Sequence, residues 1–62
     1  MTTIEAAAAI VGVYDTHSQF EAVASQGCGE WESERAAELA DEHGLSSAEI
    51  ESEIVRMCQS RC

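Results

Sequence analysis

Lysine and proline are both missing from these 62 residues, and only three aromatic side chains are present. Without lysine, three arginines are all that stand against twelve acids, so the formal net charge is −9. That balance disfavours nucleic acid and anionic membrane as direct partners, and makes a basic surface the natural one. Basic protein surfaces are commonly those that otherwise hold phosphates. Without proline, glycine is left as the main interruption of helices. With Tyr14, Phe20 and Trp31 as the whole aromatic set, the core must come from aliphatic side chains such as Ile4, Ile10, Val11, Val23, Leu39, Ile50 and Ile54, together with many alanines. A chain this short buries only about 60% of its unfolded surface. Such a core holds a few short helices together and leaves little room for an enclosed, water-free catalytic pocket. One domain, residues 1–62, is all that fits.

A secretory leader is not visible either. Met1-Thr2-Thr3-Ile4-Glu5 offers no basic start, and the apolar run from Ala6 to Val13 is too short to span a bilayer. The expected location is cytoplasmic. In that reducing compartment the odd set Cys28, Cys58 and Cys62 is expected as thiols rather than as a disulfide framework.

Ten of the twelve acids are glutamate, which forms helices well, whereas aspartate prefers caps and turns. The acids therefore read as exposed helix faces. The spacing predicts a first helix over Thr3 to Tyr14, apolar nearly all round and so expected to be buried among the others, with Ile4, Ala7, Ile10, Val11 and Tyr14 on one side. A strand over Ile10 to Tyr14 is the alternative, since those residues are β-branched and aromatic, but nothing is present to pair with it. Ser18-Gln19-Phe20-Glu21 predicts a capped second helix to about Ser25, ended by Gly27-Cys28-Gly29. A third helix is expected from about Glu30 to His43, stopping at Gly44. The fourth starts at Ser46, where Ser46-Ser47-Ala48-Glu49 forms a capping box and Leu45 and Ile50 a hydrophobic staple, and it continues to the chain end. The expected fold is all-α, a compact bundle of three to four short helices, with the last two as an antiparallel or angled hairpin.

Two local resemblances are present. Ala9 to Ala22 resembles the opening strand and helix of a family of small bacterial stress-response α/β proteins, over less than a quarter of the chain. The rest departs from that family, and no function is carried over. Leu39-Ala40-Asp41-Glu42-His43-Gly44-Leu45-Ser46, followed by Ile50, resembles a DNA-binding helix-turn-helix. The helix placed to read bases opens Ser46-Ser47-Ala48-Glu49-Ile50-Glu51-Ser52-Glu53, without Arg, Lys, Asn or Gln, and its carboxylates would meet phosphates. Direct DNA binding is thereby disfavoured, and the two-helix geometry is what the resemblance implies.

Projecting residues 30–43 at 100° per residue puts Ala36, Ala37, Leu39, Ala40 and His43 on a core side. Glu30, Glu34, Glu38, Asp41 and Glu42 fall opposite, with Trp31 and Arg35 among them. Like charges at i,i+4 cost a helix roughly 0.2–0.5 kcal/mol per pair, and Glu38, Asp41 and Glu42 oppose the helix dipole. Stability alone does not favour such an arrangement. Glu49 and Glu53 extend the polar side into the fourth helix, with Glu51 at its boundary. From Glu30 to Glu53 there are nine acids and one base, whereas residues 54–62 carry Arg56 and Arg61 and no acid. A solvated surface and a binding face account for this about equally well. Trp31 is read as a core anchor at the helix start in preference to an exposed interface residue.

Cys28, Cys58 and Cys62 with His17 or His43 give a conceivable zinc set, but the usual paired half-motifs are missing, and Cys58 lies beside Ile54 on an apolar side as a packing residue would. No nucleophile, base and orienting acid come together, so no enzymatic activity, cofactor or metal is expected.

In length, charge and helicity, the whole chain resembles the small acidic proteins by which phages disarm host defences, the anti-CRISPR DNA mimics among them. That group has no shared diagnostic motif. The resemblance implies an inhibitor in an infected bacterial cell that blocks target DNA from a CRISPR effector complex. Its contact surface would be Glu30, Trp31, Glu34, Glu38, Asp41, Glu42, Glu49 and Glu53. The alternatives are an acidic adaptor or regulatory subunit docking a basic partner unrelated to nucleic acid, and, further off, a zinc-stabilised module. A monomer or weak dimer is expected.

Overall fold

Polar caps and glycines set the ends of four helices in the computed structural model, which describes residues 1–61. They are α1 (Thr3–Val11), α2 (His17–Gln26), α3 (Glu30–His43) and α4 (Ser47–Arg61), and no strand occurs among the described residues. The chain is an all-α bundle.

At α1, Thr2 Oγ1 accepts the Glu5 N–H at 3.1 Å while the Glu5 carboxylate accepts the Thr2 N–H at 2.8 Å. That backbone donor holds the Glu5 carboxyl below its ordinary pKa. The helix ends at Val11, short of the expected Tyr14. Val13 and Tyr14 N–H donate back to the Ile10 and Val11 carbonyls at 3.4 and 3.1 Å and turn the chain. Ile10 and Val11 are helical despite their β-branching, because burial in the core outweighs local propensity. The strand that the stress-response resemblance implies over this run is therefore not formed.

The cap of α2 also differs from expectation. It is Thr16, not Ser18, because Gln19 rather than Glu21 reaches back. The Gln19 side-chain oxygen accepts from the N–H groups of Thr16 and Asp15 at 3.1 and 2.9 Å. Gly27 (φ +85°) ends α2 and Gly44 (φ +66°) ends α3, both in backbone regions that a side chain disfavours. After Gly44, the Leu45 N–H donates to the Ala40 carbonyl at 2.9 Å. The Glu49 N–H then donates to Ser46 Oγ at 3.4 Å, one of the two bonds of the expected capping box. Leu45 packs on the core and Ile50 is within it, consistent with the staple.

α4 is the central element and packs against each of the other three helices, and α1 also touches α3. It offers Ile50, Ile54 and Cys58, one stripe at i,i+4 spacing and wholly buried. Against it lie Ala6, Ala7, Ile10 and Val11 of α1, Phe20 and Val23 of α2, and Ala36, Leu39 and Ala40 of α3. Ala37 and His43, expected on the core side of α3, are exposed. The buried stripe is the narrower 36/39/40 arc because α3 meets neighbours along one edge only.

α1 is not enclosed. Ala6, Ala7, Ile10 and Val11 face inward, but Ile4 and Val13 are each 60% exposed, and Ala8 and Ala9 are exposed too. Two neighbouring helices cover one side of α1, and no fifth element exists among the described residues to cover the other.

Candidate partner-binding face

The acids between residues 30 and 53 divide by what they do in the structure. Glu32 is a structural carboxylate. One of its oxygens accepts the Gly29 N–H at 3.0 Å at the start of α3, and the other accepts the hydroxyl of Tyr14. Through that bond the α1–α2 turn is fastened to α3. Tyr14 also meets Phe20 edge-on, with ring centroids 5.2 Å apart, and tilts against Trp31 at 6.3 Å. Burial, followed by the Glu32 carboxylate, pushes the Tyr14 phenol above its ordinary pKa. Glu51 is likewise engaged. Its carboxylate accepts Ser33 Oγ at 3.1 Å, and its backbone carbonyl accepts the Cys28 thiol at 3.5 Å. Cys28 is a free thiol whose pKa burial, then the Glu51 and Glu32 charges, push up to about 11.

The other α3 acids face outward. Glu30, Glu34, Glu38, Asp41 and Glu42 are all exposed. Arg35 pairs with Glu38 at 3.0 Å; the remaining four have no hydrogen-bond or ion-pair partner among the described residues. α3 therefore presents a run of carboxylates at helical spacing, in which one base offsets one acid.

Trp31 differs from its core-anchor expectation. It is 43% exposed, leaning on Tyr14 at the head of the acidic face. Phe20, not Trp31, is the aromatic side chain buried in the core. Glu49 and Glu53 are placed apart from the other acids. They line a groove with Thr3 and Ile4 of α1, on a different edge of α4 from Glu51, which meets α3. Sequence reasoning missed the roles of Glu32 and Glu51, which depend on Tyr14 and Ser33, each 18 positions away along the chain.

The chain matches no protein-family model, no curated protein and no solved structure. Residues considered for other chemistry are dispersed. His17 pairs with Glu21 at 3.0 Å on exposed surface, and His43 is exposed at the end of α3. Cys58 is buried beside Ile54. Among the described residues, no three His, Cys, Asp or Glu side chains gather as a metal would require. Cys62, part of the conceivable zinc set, lies outside the described residues. No helix among the described residues is long and apolar enough to cross a membrane.

Proposed function

We propose that this protein is a non-enzymatic inhibitor whose α3 carboxylates occupy the basic, nucleic-acid-binding surface of another protein. One observation carries the reading: Glu30, Glu34, Asp41 and Glu42 stand exposed and unpartnered beside Glu38 on a single helix. Glu30, Glu34 and Glu38 advance about 6 Å per step along the axis. Duplex DNA carries a charge about every 1.7 Å. One helix thus mimics a short stretch of backbone rather than a duplex, and Glu49 and Glu53, on another edge of α4 against α1, are not part of that run. The form suggested by resemblance is an anti-CRISPR protein that denies target DNA to a CRISPR effector complex in an infected bacterium.

The test is capture of a partner from bacterial lysate, followed by measurement of that partner's DNA affinity. The expected result is loss of DNA binding as the acidic protein is added. A captured partner that still binds DNA fully would overturn the mimicry reading.

The exposure of Trp31 supports a second reading, a regulatory subunit docking a basic protein unrelated to nucleic acid. A half-exposed indole at the head of a charged face is the kind of anchor that protein interfaces use. In that case Trp31→Ala abolishes capture, and the captured partner has no nucleic-acid affinity to lose.

A further inference from the structure

The seam between α1 and α4 has a charge order that is complementary to itself. The two helices run in the same direction, since Thr3 and Ile4 lie beside residues 48–53 of α4, and Ala8, Val11 and Gly12 beside residues 56–61. Two open grooves of about 400 Å³ each lie along this seam. In the first, the exposed Ile4 lies against Glu49 and Glu53. In the second, Ala8 and Val11 lie against Arg56 and Arg61. Ile4, Ala8 and Val11 fall on one stripe of α1, Glu49, Glu53 and Arg56 fall within about 60° on α4, and Arg61, about 80° further round toward α2, still lines the second groove. Along α4 the order is acid, acid, base, base over about 18 Å.

We propose that this seam binds a second copy of the chain across a two-fold axis, with the α4 helices antiparallel. In an isologous contact, residue i meets residue j and j meets i. Glu49 then faces the partner copy's Arg61, and Glu53 its Arg56. Both pairings share one centre, because the midpoints of 49/61 and 53/56 fall within one residue of each other, at Val55. A single register satisfies all four ion pairs. Ile4, Ala8 and Met57 supply the apolar floor, where exposed aliphatic surface otherwise faces water.

The net charge of −9 opposes self-association in general, and it makes this face the suitable one, because its two acids and two bases cancel. At physiological ionic strength, charges more than about 8 Å apart are largely screened, so the seam's own charges decide the contact. The arginines are available for it. Arg56 and Arg61 are both exposed and have no ion-pair partner among the described residues, and Arg61 has its guanidinium 4.6 Å over the Phe20 ring. The acids of α3 lie outside the seam, so a dimer carries two copies of the proposed partner-binding helix.

Charge reversal tests the register. Sedimentation equilibrium of the wild-type chain is expected to show a weak, concentration-dependent dimer with a dissociation constant on the order of 100 μM. Arg56→Glu places acid opposite acid twice per dimer, and Glu53→Arg places base opposite base. Each variant is expected to remain monomeric at tenfold higher concentration, with unchanged helical circular dichroism. An equimolar mixture of the two restores every pairing across the axis, and a heterodimer is expected to appear at about the wild-type concentration. A wild-type chain that is monomeric to roughly 1 mM, a dimer that survives either reversal, or a mixture that stays monomeric would each overturn the proposal.

Discussion

At the scale of single residues, two groups with raised pKa values link protonation to stability at alkaline pH. Tyr14 and Cys28 both have folded pKa values above their ordinary ones, so the folded state retains their protons after the unfolded chain has lost them. Their contribution is fully present below the unfolded values. For Cys28 it is lost as pH rises from about 9 through about 11. Urea unfolding at stepped pH should show stability falling across that window, and Cys28→Ala should remove part of the slope. The same shift makes Cys28 a poor nucleophile. Alkylation at pH 8 followed by peptide mapping should label it far more slowly in the folded chain than in urea. Tyr14→Phe removes the hydroxyl donor to Glu32 and should cost about 1 kcal/mol at neutral pH. None of these contacts was legible in the sequence, because they join side chains distant along the chain. By periodicity Tyr14 belongs to the apolar side of the first helix, which in fact ends three positions earlier.

At the scale of elements, the punctuation was legible. The bounds of α3, the stop at Gly44 and the Ser46 cap all follow from local rules, because glycine's freedom and a hydroxyl's reach act within a few residues. Gly44→Ala places a β-carbon at φ +66° and should destabilise by about 1–2 kcal/mol, with Gly44→Asn milder. Thermal melts of the two variants check this order. The α2 cap is ambiguous in the sequence because Thr16 and Ser18 offer the same chemistry two residues apart, and the choice falls to which side chain reaches back, Gln19 or Glu21. On α3, periodicity separated acids from alanines, yet it drew the buried arc too wide by including Ala37 and His43. The width of that arc depends on how many neighbours a helix has.

At the scale of the whole molecule, repulsion within a chain of net charge −9 opposes the fold, and added salt should relieve it. The melting temperature is expected to rise with sodium chloride while capture of a basic partner weakens. Observing both to move together would argue against capture through the acidic face. Glu34→Lys removes two like-charge i,i+4 neighbours and should stabilise the monomer by roughly 0.5 kcal/mol while reducing capture, a trade expected where charge serves binding at the expense of the fold. Ile54→Ala, at the fully buried centre, should cost about 2–5 kcal/mol, enough to unfold much of so small a domain.

Sequence alone determined the helical class, the four segments and the concentration of acid between Glu30 and Glu53, because these depend on local propensity, short-range capping and composition. Tertiary structure alone decided which acids are available. Burial and distant partners drew Glu32 and Glu51 into the framework and placed Glu49 and Glu53 against α1, leaving the outward acids of α3. It also decided that α1 would lie on the outside. A helix's pattern specifies how much of it prefers burial, but only the number of elements packed around it determines how much is covered.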